Sequence, residues 1–221
     1  EPMGGLDPAY PFVKAWLEAG KHVATSNKAL VAAYGTELLT IAKVNKVNFM
    51  FEASVGGGIP IIRPLYRCLM GEKIEEITGI LNGTTNFILT KMDKEGASFE
   101  WALKEAQALG YAERNPEADV EGYDTCRKIA ILTAMATGRE VDYREIPTEG
   151  ITKITDVDFR YADALGMSIK LVGSSCAENG KVYAWVAPLM IGKENPLYAV
   201  SDVYNGIVVK GNMLGTTMYY G

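Results

Sequence analysis

Lys170-Leu171-Val172-Gly173-Ser174-Ser175-Cys176-Ala177-Glu178-Asn179-Gly180-Lys181-Val182-Tyr183-Ala184-Trp185-Val186-Ala187-Pro188 is the stretch that decides the fold. Asn179-Gly180 is the strongest hairpin signal in the chain, because both residues accept the positive φ of a tight two-residue turn. The runs on either side of it, 170–174 and 182–188, are β-formers, and a third such run follows at 206–210. The chain beyond Gly166 therefore reads as strand-rich. Upstream, apolar residues recur at helical spacing instead. Thr155 and Asp158 resemble a capping box for a helix of about ten residues. A longer helix is predicted from Tyr123 to Thr137, and its later part, Ile129-Ala130-Ile131-Leu132-Thr133-Ala134-Met135-Ala136, is apolar all round, which predicts burial.

Further outward, Ser98 caps a predicted helix carrying Trp101, Leu103, Ala106 and Leu109, which Gly110 closes. A strand over 73–81 runs into Asn82-Gly83-Thr84-Thr85-Asn86, and a helix follows to Gly96. Pro60 is expected to start a helix with Ile62, Leu65 and Leu69 on one face. Val47, Phe49, Phe51 and Ala53 alternate with Asn48, Met50 and Glu52, the period of a half-buried strand. Nearest the start, Pro11 at a first helical position and Gly20 past the end bracket a helix, followed by a strand at 21–25, the turn Ser26-Asn27-Lys28, and a helix with Val31, Tyr34, Leu38 and Ile41 on one face. Strand, turn and helix make half a βαβ unit. In a parallel sheet, Asn27 and Lys28 would lie at the strand's carboxyl end, where open α/β sheets bind ligands. The predicted class is α+β, a mixed β-sheet backed by helices, with the first 30 or so residues more like the end of an α/β domain.

Composition narrows the function. With 22 Lys+Arg against 27 Asp+Glu among 221 residues, the net charge is −5 and no basic run exceeds two residues, so nucleic acid is not an expected partner. A hydrophobic content of 48% suits a large packed core, and no apolar stretch approaches the roughly 18–20 residues of a membrane helix. A cytoplasmic location is expected. Cys68, Cys126 and Cys176 lie far apart and are expected as buried apolar residues rather than as disulfides or a zinc site. The single histidine, His22, sits in a strand-like run and reads as structural, so proton chemistry falls to carboxylates and lysines. The opening Glu1-Pro2-Met3-Gly4-Gly5 reads as an internal segment of a longer protein.

The constellation best suited to chemistry is Glu113, Asp119, Asp124 and Lys128. Asp124 and Lys128 stand four apart and share a helix face. Burial and the positive end of a helix dipole disfavour an ammonium while a paired carboxylate favours it; a lysine in that balance is suited to proton exchange. A buried structural ion pair explains the same spacing, and both readings stand at this point. Glu113 and Asp119 either bracket an ammonium, with lysines taking a carboxylate or a reacting oxygen, or form a solvated acidic loop. Gly56-Gly57-Gly58 matches neither G-x-G-x-x-G nor a Gly-Lys-Ser/Thr loop. Glu52 with the carbonyls of that turn would instead suit a small hard cation.

Four motifs taken together resemble homoserine dehydrogenase: Thr25-Ser26-Asn27-Lys28; Phe51-Glu52-Ala53-Ser54-Val55-Gly56-Gly57-Gly58-Ile59-Pro60-Ile61; Leu81-Asn82-Gly83-Thr84-Thr85-Asn86-Phe87-Ile88-Leu89; and Gly110-Tyr111-Ala112-Glu113 through Asp119 to Gly122-Tyr123-Asp124-Thr125-Cys126-Arg127-Lys128. They occur in the family's order over nearly the whole chain. The resemblance implies an oxidoreductase that interconverts L-homoserine and L-aspartate 4-semialdehyde with NAD or NADP, on the route to threonine and methionine, acting as a homodimer. It implies Lys128 as proton donor and acceptor, supported by Asp124 and Lys28. Glu113, Asp119 and Asp124 are implied as substrate ligands, with Gly83, Thr84 and Tyr111 lining that pocket. Lys28, Gly110 and Thr84 are implied at the cofactor, and Glu52, Val55, Gly57 and Ile59 at a sodium ion. By the same likeness, residues 1–30 are the remnant of a Rossmann-type nucleotide-binding domain and 31–221 the catalytic, substrate-binding and dimerisation domain. The family's glycine-rich dinucleotide loop has no counterpart in this sequence, so the chain is expected to bind NAD(P) weakly and turn over poorly. A non-enzymatic amino-acid-binding or dimerisation module is the competing expectation, since the strand-rich region after 166 could build an intersubunit sheet.

Overall fold

The computed structural model describes residues 1–221. The predicted hairpin is its longest feature. Strands β4 (Met167–Glu178) and β5 (Lys181–Gly192) pair antiparallel in unbroken register, from Met167 opposite Gly192 to Glu178 opposite Lys181. Asn179 and Gly180 close the turn with φ of 50° and 75°, the left-handed pair the sequence signals. β3 (Ile74–Ile80), β6 (Gly206–Gly211) and β7 (Gly215–Tyr220) complete a five-stranded sheet of order β5-β4-β3-β6-β7, antiparallel throughout. A parallel bridge from Thr148 to Val186 touches its β5 edge.

The sheet has two unequal faces. Ile77, Ile169, Leu171 and Val209 point to the helices and join the main core with Ile88, Leu89, Ile129 and Leu132 from α3 (Gly83–Glu95) and α6 (Tyr123–Thr137). Ile80 and Val172 point the other way, into a small cluster closed by Leu197 and Val200 from the segment before β6. Lys170 shares that second face at 2% exposure, and its Nζ donates to the Val200 carbonyl at 2.6 Å. Helices α4 (Phe99–Ala108), α5 (Glu117–Val120) and α7 (Asp156–Ala164) lie around the main core. Ser98 caps α4 as expected, and the Asp158 carboxylate accepts the Thr155 N–H at 2.8 Å at the start of α7.

The parallel part is smaller. β1 (Val23–Ala24) pairs parallel with β2 (Phe49–Met50). α1 (Ala9–Glu18) and α2 (Lys28–Val44) pack against each other, with Val13, Leu17, Leu30 and Leu38 joining the same core as the sheet. The fold is thus α+β with strands of both senses backed by helices, the parallel pairing segregated near the N-terminus.

Several local expectations are corrected. α1 begins at Ala9, so Pro11 occupies the third helical position, where its missing N–H is still harmless. The alternating run 47–53 yields only a two-residue strand, because Glu52–Ser54 turns into a 3-10 helix. Pro60 does not start the next helix. Its carboxylate cap is Glu52, whose oxygens accept the N–H groups of Ile62 and Arg63 at 2.8 and 2.9 Å. Over Pro64–Cys68 the turn widens to π geometry, with Leu69 N–H reaching Pro64 O. Cys68 on that turn is exposed, whereas Cys126 is buried and Cys176 half-buried. The last turn of α6 is only half-buried. Met135 and its neighbours line an open cleft of about 700 Å³ against Val31, Tyr34 and Phe51. β7 was absent from the expected elements. No helix is long and apolar enough to cross a membrane.

Candidate active site

The site forms where four elements converge. Asn82, just past β3, is the N-cap of α3, and its Oδ1 accepts the Thr85 N–H at 2.8 Å. Gly83 must be a glycine, because a Cβ there would lie 2.6 Å from the Val203 carbonyl oxygen. The segment carrying Val203 is tied down by Asn86 Nδ2 to Tyr204 O at 3.0 Å and by the Asp202 N–H to Thr90 Oγ1 at 3.0 Å. Backbone contact with this strap therefore fixes the start of α3. Asn27 caps α2 by accepting the Leu30 N–H at 3.1 Å and places Lys28 directly after the parallel strand β1, at its carboxyl end. Asp124 stands in the first turn of α6, where a carboxylate complements the unpaired N–H groups.

Asp124 is the centre of the cluster and 4% exposed. Its Oδ1 accepts from Lys28 Nζ at 2.5 Å, and its Oδ2 from Lys128 Nζ at 2.6 Å. Lys128 also donates to the Leu81 carbonyl at 2.7 Å. Asn82 Nδ2 donates to Asp124 Oδ2 at 2.9 Å and to Asp119 Oδ1 at 2.7 Å. Burial pushes the Asp124 carboxyl up, but the charges and hydrogen bonds of Lys128 and Lys28 outweigh it and hold the carboxyl at about 2. Asp119 goes the other way. Burial raises it and the Asp124 charge adds to this, against the opposing Asn82 hydrogen bond and the more distant lysines.

Lys28, Asp119, Asp124 and Lys128 thus meet in one network. Thr84 Oγ1 donates to the Tyr111 carbonyl at 2.5 Å, and the Tyr111 ring packs edge-on to Phe87 at 5.2 Å, so Gly110 and Tyr111 sit beside the first turn of α3. Glu113 is exposed and stays outside the network; only its backbone carbonyl is engaged, by Gln107 Nε2 at 3.1 Å. Sequence reading overlooked Asn82 as a member. Its role depends on carboxylates 37 and 42 positions away, and the only local signal was its place before Gly83-Thr84-Thr85.

At the glycine turn, the carbonyls of Val55, Gly57 and Ile59 accept no hydrogen bond within the protein, and Val55 and Ile59 are buried. Unpartnered carbonyl oxygens are the kind of donor a hard cation takes, whereas both oxygens of the Glu52 carboxylate already accept the N–H groups of Ile62 and Arg63. Above Gly110 the space is open, with no atom within 4 Å of where a Cβ would stand. Lys28, 43% exposed, has ammonium N–H groups to spare beyond its bond to Asp124. Both features fit one side of a cofactor pocket.

The family model described as homoserine dehydrogenase matches residues 60–221. A homoserine dehydrogenase of Synechocystis sp. is 46% identical over all of this chain and 52% of its own length, and that of Bacillus subtilis is 44% identical over all of this chain and 51% of its own. The crystal structure of a homoserine dehydrogenase from Thiobacillus denitrificans has a TM-score of 0.95 at 44% identity, covering all of this chain and 51% of that one. A hyperthermophilic archaeal homoserine dehydrogenase in complex with NADPH has a TM-score of 0.83 at 35% identity, over 97% of this chain and 62% of that one. The chain spans about half the length of the curated relatives it matches.

Proposed function

The chain belongs to the homoserine dehydrogenase family, and from that premise we propose that it carries the substrate-binding and proton-transferring half of an enzyme interconverting L-homoserine and L-aspartate 4-semialdehyde, on the route to threonine and methionine. The observation that carries the proposal is the fixation of Lys128. Two of its three N–H groups are committed to Asp124 and to the Leu81 carbonyl. A tetrahedral ammonium pinned at two corners has one direction left, and the third N–H is the proton offered to a substrate oxygen.

Lys28, Thr84 and Gly110 would hold NAD or NADP, which when bound would supply the hydride. Charge that builds on the aldehyde oxygen is met by the free N–H of Lys128, while Asp124 and Leu81 hold the amine in place through the transfer. In the oxidative direction the neutral amine receives the hydroxyl proton. The substrate ammonium is received by Asp119, whose second oxygen is uncommitted, and by the free carboxylate of Glu113. Asp124 has both oxygens on lysines, so it serves by placing them. Gly83, Thr84 and Tyr111 line the pocket beside these groups. Glu52 and the carbonyls of Val55, Gly57 and Ile59 would hold a sodium ion, which would order the turn between the parallel pair and the antiparallel sheet.

On this reading residues 1–30 belong with the nucleotide-binding half and 31–221 form the substrate-binding and dimerisation half, although the pairing of β1 with β2 carries the parallel architecture as far as Met50. The exposed side chains of Tyr183, Leu189, Met190, Met218 and Tyr220 on β5 and β7 support a homodimer through this sheet. The protein is cytoplasmic on the same reading. The test is NADPH oxidation with aspartate semialdehyde in a form that also carries the relatives' remaining half. Lys128→Ala is expected to lower kcat by at least about a hundredfold; equal rates would remove Lys128 from its role.

A further inference from the structure

We infer that Asn82 is a positioning residue, an amide clamp that holds Asp119 and Asp124 at a fixed spacing and turns the free oxygen of Asp119 toward the substrate ammonium. The inference rests on the homoserine reading of this site and adds to it a residue that acts through the two carboxylates. Oδ1 of Asn82 faces the backbone N–H and the hydroxyl of Thr85, at 2.8 and 3.0 Å. The amide therefore has a single workable orientation: a flipped side chain would lose its cap and point an oxygen at two carboxylates. With Oδ1 anchored, both hydrogens of Nδ2 are committed, one to Asp119 Oδ1 and one to Asp124 Oδ2. Like charges this close repel, and the clamp is what lets Asp119 stay beside Asp124. No cation bonds to Asp119, in contrast to the two on Asp124. Leu81, one residue earlier, orients Lys128 through its carbonyl, so consecutive residues at the end of β3 set both the proton donor and the ammonium receiver.

Capping and clamping are separable. Serine is as good an N-cap as asparagine but has no amide to bridge two carboxylates. Asn82→Ser is therefore expected to keep its melting temperature within a few degrees. The readouts are the carboxyl 13C titrations of Asp119 and Asp124 and homoserine binding by calorimetry. The Asp119 titration is expected to move to higher pH on losing its hydrogen bond, with homoserine affinity lowered at least about tenfold. Should the serine variant unfold, Asn82→Asp retains the cap acceptor and carries the same test, with a larger displacement of Asp119. An unmoved Asp119 titration overturns the clamp whatever the affinity does, and so does a displaced titration with unchanged affinity in a protein that binds homoserine. If the parent protein binds no homoserine yet the titration moves, the clamp stands and the substrate assignment fails.

Discussion

Lysines with buried partners stand on both sides of the large sheet, only partly buried on one side and fully buried on the other, and the two sides treat them oppositely. On the helix side, Lys128 and Lys28 share the carboxylate of Asp124, and every polar atom of that carboxylate is engaged. On the other side, Lys170 has only the Val200 carbonyl. Burial drives its ammonium down to about 8, and the opposing charges of Asp93 and Asp202 do not offset it. Counter-charge is present on the side proposed to hold and aim a proton, and missing where the lysine ties a strap to the sheet. Deeper burial and the missing counter-charge together set Lys170 apart from the other two.

The contrast breaks most severely if the shared carboxylate is neutralised. Asp124→Asn leaves two ammonium groups facing an amide, and breaking a buried pair in this way is expected to destabilise the protein by about 3 kcal/mol. The pH dependence gives a second check. Because the folded pKa of Asp124 is depressed, its contribution is complete above the unfolded value near 4 and is lost as pH falls toward about 2. Denaturant titrations should show about 2 kcal/mol disappearing across that window in the parent protein and not in Asp124→Asn. An acid limb that is the same in both would remove Asp124 as its source.

Lys170 offers the converse experiment. Lys170→Met keeps the length of the side chain and removes the unpaired charge, so a gain of about 1–2 kcal/mol is expected at pH 7. Its folded pKa is lowered, so the unfolded chain binds the extra proton between pH 8 and 10.5, and the parent protein gains stability as pH rises through that range. The advantage of the methionine variant should fade over the same interval. A constant difference would mean that Lys170 is not the titrating group.

What could be read from the sequence follows the range of the interaction. The hairpin at Asn179-Gly180, the bounds of α6 and the capping of α4 and α7 all depend on neighbours within a few residues, and they were legible. So was the Asp124–Lys128 pair, four positions apart. The Lys28–Asp124 bond spans 96 positions and was not foreseen; the family resemblance implied Lys28 at the site without this partner. Asn82 was missed for the same reason. β7 carried β-formers, Thr216, Thr217, Tyr219 and Tyr220, but its residues only alternate between exposed and half-buried, and its sequence shows no matching apolar–polar alternation. The charge on Lys170 lay inside a run rightly read as a strand; its burial depends on the 197–200 segment folding over the sheet.

The smallest expected effect concerns the carboxylate that the clamp holds without a cation. Asp119 has its folded pKa raised, chiefly by burial, so the native state binds its proton more tightly than the unfolded chain. Stability is therefore lost as pH rises from the unfolded value through the raised one, and the deficit persists at neutral pH. Asp119→Asn removes the charge and retains an oxygen that can accept from Asn82. It is expected to raise the melting temperature slightly at pH 7, with the difference vanishing below about pH 4, and to weaken homoserine binding. A variant no more stable than the parent at pH 7 would show that Asn82 and the nearby lysines already compensate the buried charge, making the two carboxylates of the site more alike than their surroundings imply.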